Sequence, residues 1–217
     1  MNYVVVLLSS ISALCVAIPV HEWAHAWVAY KQGDPTAKTM GRMTLAPHAH
    51  FNIWGFICMY LLGFGWAQPV PVDSRNFKNG KRSEVLVSLA GVTANIVVGT
   101  FFVIIATALD TFYPTFATAW GYYGLALETF LLTVISYNFC LAFFNILPIY
   151  PLDGFRVIEA NTKPNNGFVN FMRRYSNLIL IAVVLFSGLI EYYLTYTAGY
   201  AISGLTWLFN KFWGLFV

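Results

Sequence analysis

The apolar positions of this chain gather into runs long enough to cross a lipid bilayer. A transmembrane helix needs about 20 mostly apolar residues. Five stretches meet that length, at roughly 3 to 30, 83 to 109, 124 to 147, 177 to 194 and 196 to 215. A shorter apolar stretch, roughly 53 to 66, contains Gly55, Gly63 and Gly65 and is too short to span, so it reads as re-entrant or interfacial. The pattern predicts an all-α polytopic membrane protein with about five transmembrane helices. Polar material lies between the runs. There, residues 38 to 46, with Thr39, Met43 and Thr44 around Gly41, have the makings of a small β-hairpin, and Gln68-Pro69-Val70-Pro71-Val72 can only be extended backbone.

Composition agrees with the pattern. Of 217 residues 59% are hydrophobic and 10% charged, where soluble domains have about 25% charged residues. The net charge of +3 comes with no long basic run, which sets nucleic-acid binding aside. Cys15, Cys58 and Cys140 lie far apart in apolar stretches and suggest neither disulfides nor a cysteine-bound metal. The first apolar run lacks the basic start of a secretion signal, its first Lys or Arg being Lys31, and reads as a retained span. No repeat or long polar segment marks a second domain, so residues 1–217 read as one membrane domain, with a core over about 1–160 and C-terminal helices over about 177–215.

Basic residues orient the spans, because cytoplasmic loops are enriched in Lys and Arg. Seven of them lie between the first two spans, from Lys31 to Arg82, and four between the third and fourth, from Arg156 to Arg174. None occurs between Glu84 and Gly154, so residues 110 to 123 read as an outer loop. Five alternating spans then put the N-terminus outside and the C-terminus in the cytoplasm of a multi-pass cell-membrane protein.

The first span ends in His21-Glu22-Trp23-Ala24-His25, the HExxH pattern. On a helix, histidines at i and i+4 share a face and can bind one zinc, while the glutamate lies close enough to activate a water. An exposed helix can carry such a pattern by chance. Within a span, however, each charged group costs about 2.5 kcal/mol or more and is expected to face a cavity or bind something. Catalytic zinc needs a third protein ligand. Asp153, in the turn after Pro148 and Pro151, is the candidate, against the alternative of a solvated aspartate ending a helix; His48 and His50 are further alternatives. Asn145 can donate to a scissile carbonyl oxygen or hold two helices together. Gly91, Asn95 and Gly99 share one helix face; the glycines suit close helix packing, and Asn95 needs a polar partner, which a substrate backbone could supply.

Taken together, His21-Glu22-xx-His25, Gly91-Val92-Thr93-Ala94-Asn95 and Asn145 to Gly154 resemble the site-2 protease family of intramembrane zinc metalloproteases. Gly65 to Val72 and Thr44 to His50 are similar to segments of its compact bacterial branch. The resemblance covers most of residues 18 to 160. It implies one zinc per chain held by His21, His25 and Asp153, Glu22 as catalytic base, and Asn95 and Asn145 near the substrate. It also implies transmembrane protein or peptide substrates with a single span, often already shortened by another protease. Ala46-Pro47 and Asn52 stand where the family pattern has Asn-Pro and Asp. These 217 residues show none of the PDZ or CBS domains of many members, so substrate preprocessing or a membrane partner is the expected control. The rival reading is a metal-binding membrane transporter or sensor, which would not require Glu22 beside the ligands.

Overall fold

The computed structural model describes residues 3–55, 67–163, 165–185 and 187–217, and among these the chain is helical with no β-strand. Helix α1 is Tyr3–Lys31, α2 Thr36–Thr39, α3 Gly80–Phe112, α4 Phe116–Ala119 and α5 Gly121–Asn145. Then follow α6 Asp153–Asn161, α7 Gly167–Arg174, α8 Ser176–Leu185 and α9 Ser187–Trp213. Helices α1, α3 and α5 are long and apolar enough to cross a membrane. They coincide with the first three stretches read from the sequence. Leu8, Val97, Phe101 and Leu132 on these helices are each more than half exposed. Apolar surface costs about 25 cal/mol per Å² in water and nothing comparable against acyl chains. The chain is an all-α membrane protein.

Two sequence expectations need correction. The break expected near residue 195 is absent, and α9 runs through it from Ser187 to Trp213. Nothing there interrupts a helix: the sequence from Tyr193 to Ala198 has no proline or glycine, and Thr197 Oγ1 folds back to donate to the Tyr193 carbonyl at 2.8 Å. The hairpin expected at 38 to 46 is also absent; α2 occupies its start and an irregular loop the rest. Side chains satisfy the backbone instead of a ladder. Thr44 Oγ1 accepts from Ala46 N at 3.1 Å, and Arg42 Nη2 donates to the carbonyls of Gln68 at 2.9 Å and Pro69 at 3.3 Å. Of the short apolar stretch, residues 53–55 are helical, with Asn52 Oδ1 accepting from the backbone of Trp54 and Gly55; the re-entrant reading of 56–66 falls outside the described residues.

The chain forms two compact units. One consists of Met1–Ala17, Asn95–Phe143 and Tyr193–Val217. Its core is Val103, Ile135, Phe139 and Ala198, with Phe102 and Phe143 packed around them. The other consists of Ile18–Ala94 and Phe144–Tyr192, and contains the HExxH turn, the polar loops and Asp153.

In this second unit one carboxylate organises the loops. Asp34 is 1% exposed. Its Oδ1 accepts from the Thr36 hydroxyl, from Thr36 N at 3.1 Å and from Asn76 Nδ2 at 2.9 Å, and its Oδ2 from Asp73 N at 2.8 Å. Burial alone would raise the pKa of this carboxyl, but the donors around it outweigh burial and hold it below the ordinary aspartate range. Hydrogen bonds to a charged group contribute about 1.5–3 kcal/mol. A depressed folded pKa gives stability that is present above the unfolded value of about 3.9 and lost as pH falls through the folded value. Asp34→Asn is therefore expected to lower the unfolding temperature at pH 7. The difference from wild type should shrink as pH drops below about 4, and thermal melts across that range, in detergent, would reveal an unchanged difference if the account is wrong.

Candidate metal centre

His21 and His25 lie in the last third of α1, one helical turn apart, and both are buried. Their rings meet edge to face, with centroids 4.6 Å apart. The second ring is fixed from α3: His25 Nδ1 lies 2.7 Å from the Val87 carbonyl oxygen. A carbonyl only accepts, so Nδ1 carries a proton, and in the neutral ring that a metal requires Nε2 presents a lone pair. That lone pair points at His21 Nε2, 3.1 Å away, and at Asp153 Oδ2, 3.2 Å away.

Asp153 arrives from far along the chain, as the first residue of α6. Gly154 follows it, and its contacts show why a glycine is needed there. A Cβ at Gly154 would collide with the Ile146 carbonyl oxygen and lie 2.7 Å from that of Leu147, so only glycine lets α6 start against the end of α5. The aspartate is thereby held in place, 7% exposed.

Asp153 Oδ2 lies 3.2 Å from His21 Nε2, completing a triangle with edges of 3.1, 3.2 and 3.2 Å. Ligands at about 2.0–2.1 Å on a tetrahedral zinc are about 3.3 Å apart, so the three atoms fit one face of such a site and leave its fourth position open. Among the described residues Oδ2 is buried and faces no polar partner other than the two histidine nitrogens. A buried carboxylate facing an imidazole lone pair is costly unless a cation lies between them. Among the described residues this is the sole cluster of three potential metal ligands.

Glu22, between the histidines, has a backbone partner. Its Oε2 accepts from Val70 N at 2.8 Å. Residues 67–73 form no helix or turn, and because Pro69 and Pro71 have no N–H, Val70 is the one backbone donor among the three. Val70 packs with Ala26 and Ala37, and Gln68 N donates to the His50 carbonyl at 2.8 Å, which holds the segment at its centre and at its start.

The remaining candidates are not among the three clustered ligands. His50 is fully buried and donates from Nε2 to the Thr44 carbonyl at 2.8 Å, which makes it a loop organiser. His48 sits in a short 3-10 turn, Pro47–Ala49. Neither joins the cluster. Asn145 is the last residue of α5 and half-buried. Asn95, in the other unit, is fully buried and donates from Nδ2 to the Ala17 carbonyl at 3.0 Å and to Asn138 Oδ1 at 2.8 Å. Sequence reasoning missed Asn138, whose own Nδ2 donates to Val134 O at 2.8 Å. Its signal was available: a second amide deep in an apolar run needs a partner as much as the first.

No family model and no solved structure matches the chain. Curated relatives do. The chain is 40% identical over 151 residues to the "Putative zinc metalloprotease YwhC" of Bacillus subtilis, which covers 70% of this chain and 68% of the relative. It is 26% identical over 215 residues to the "Putative zinc metalloprotease Rip2" of Mycobacterium tuberculosis, covering 96% of this chain and 75% of the relative. The Rip2 of Mycolicibacterium smegmatis is 26% identical over 190 residues. Two histidines one turn apart and an aspartate drawn to them from more than a hundred positions away are what these names lead one to look for, and with likeness of this extent the chain belongs to the site-2 protease family.

Proposed function

We propose that this protein is an intramembrane zinc metalloprotease that hydrolyses peptide bonds of single-span membrane proteins. The observation that carries the reading is the buried triangle of His21, His25 and Asp153, with Glu22 in the same helical turn. In this reading His21, His25 and Asp153 hold one zinc. The ion, when bound, supplies Lewis acidity that lowers the pKa of a water and polarises the scissile carbonyl. Glu22 takes a proton as the water attacks the carbonyl carbon, then gives it to the amine nitrogen as the C–N bond breaks. Asn145 donates to the carbonyl oxygen as charge builds on it, whereas the Asn95 amide already donates to Ala17 and Asn138 and has no substrate contact in this reading. A substrate helix hides its carbonyls in its own hydrogen bonds, so it must unwind before attack. The metal-transporter reading has less support, because transport gives no role to Glu22 beside the ligands.

The reaction is testable with purified protein in proteoliposomes and a labelled single-span substrate. Chelation should abolish cleavage and added zinc restore it. A zinc-loaded protein that leaves every such substrate intact would count against the reading.

The same reading places residues 31–82 and 151–176 in the cytoplasm, residues 110–123 outside, and the site recessed below the cytoplasmic surface. Supporting it, Trp27 and Tyr30 are exposed near the end of α1, with Lys31 5.6 Å from the Trp27 ring, the aromatic and basic pairing common at bilayer interfaces. An impermeant maleimide added to intact cells should label Thr118→Cys and spare Arg75→Cys. Labelling at 75 from outside would reverse the orientation.

A further inference from the structure

We infer that Gly91 is a positioning residue for the metal ligands: its missing side chain provides the space in which the two histidine rings sit. The inference rests on the zinc-site reading above and adds the element that backs it. A Cβ built on Gly91 would lie 2.5 Å from His25 Nε2, 2.6 Å from His21 Cε1 and 2.7 Å from His21 Nδ1. Side-chain ends commonly yield to such crowding, but the His25 ring is held. His25 is tied through Nδ1 to the Val87 carbonyl, 2.7 Å away and one turn before Gly91 on the same face of α3. Moving the ring off a methyl at 91 breaks that bond or opens the 3.1 Å approach of the two Nε2 atoms. Helix α3 thus acts twice on the pair. Val87 sets the tautomer and orientation of His25, and Gly91 sets how closely both rings back onto the helix.

Small residues in membrane helices ordinarily serve helix packing, and Gly99 provides the comparison. A Cβ there would have as its three nearest neighbours two carbons of the Phe139 ring, at 2.7 and 2.9 Å, and Asn138 Cβ at 3.4 Å, none of them from a candidate ligand. The two glycines lie on the same helix face, each with neighbours closer than 3.0 Å to an added Cβ, but the tighter crowding at Gly91 is against the histidine rings.

The experiment measures zinc affinity of purified wild type, Gly91→Ala and Gly99→Ala by chelator competition, with circular dichroism and melting of the metal-free proteins alongside. Alanine is the stronger helix former, so a purely helical role for Gly91 predicts no loss of zinc. Disturbing the partners that orient metal ligands typically costs about 10–100-fold in affinity. A loss of that size is expected for Gly91→Ala with helical content retained, and near wild-type affinity for Gly99→Ala. Wild-type affinity in Gly91→Ala, or equal losses in both variants, would overturn the inference. Should Gly91→Ala fail to fold, adding His21→Ala and His25→Ala removes the rings the methyl strikes and should restore the fold; continued failure overturns it as well. Wild-type protein that takes up no zinc would instead overturn the proposed function, and this inference with it.

Discussion

Replacing Glu22 with Gln is expected to lower cleavage by about 10²–10⁴-fold, the range for losing a general acid–base, while zinc stays bound. The substitution keeps the size of the side chain. A glutamine oxygen can still accept from Val70 N, which donates to Glu22 Oε2 at 2.8 Å. The extended segment around Val70 therefore stays in place, and the two histidines keep their neighbours. What disappears is the ability to take a proton and hand it on. The deficit should fall on kcat with KM little changed, the signature of a group that acts in the transition state and not in substrate binding. Glu22→Ala would be less informative, because it also strands the Val70 N–H. A Gln variant that cleaves at near wild-type rate, with zinc bound, would remove Glu22 from the chemistry.

How far the sequence discloses this site depends on how local each contact is. His21 and His25 are legible because a four-residue spacing fixes their relation on any helix. The first three long helices are legible because length and apolarity suffice to mark them. Asp153 is a weaker inference from residues alone, since nothing in the turn after Pro151 says which distant element it meets. Gly91 shows the limit more sharply. Its spacing to Asn95 and Gly99 marks a helix face, but not that the histidine rings lie against one end of it and Phe139 against another. The hairpin expectation failed because alternation alone does not supply a partner strand: Pro69 and Pro71 break the nearest candidate ladder, and the donor between them, Val70 N, goes to a glutamate. The amide pair of Asn95 and Asn138 spans 43 positions. Such a bond in a membrane contributes about 0.6 kcal/mol on average, too little to leave a pattern in composition.

Asp153 ties these levels together, and its replacement by Asn is expected to have the second large effect. The substitution keeps the shape that fits beside Gly154 but removes the negative charge that offsets a dication between two neutral imidazoles. Both zinc retention and cleavage should fall. Glu159 lies six positions on in the same helix, pairs with Arg173 at 2.6 Å and has no part in the cluster, so Glu159→Gln is the matched control. A transporter would show graded changes of ion flux at both acids. The most direct test is therefore the zinc content of purified wild type, Asp153→Asn and Glu159→Gln, measured by mass spectrometry after identical dialysis. About one zinc per chain is expected in wild type and Glu159→Gln, as for a three-ligand catalytic site, with a clear deficit in Asp153→Asn. Full occupancy in Asp153→Asn, with cleavage intact, would contradict the account and hand the third position to another ligand.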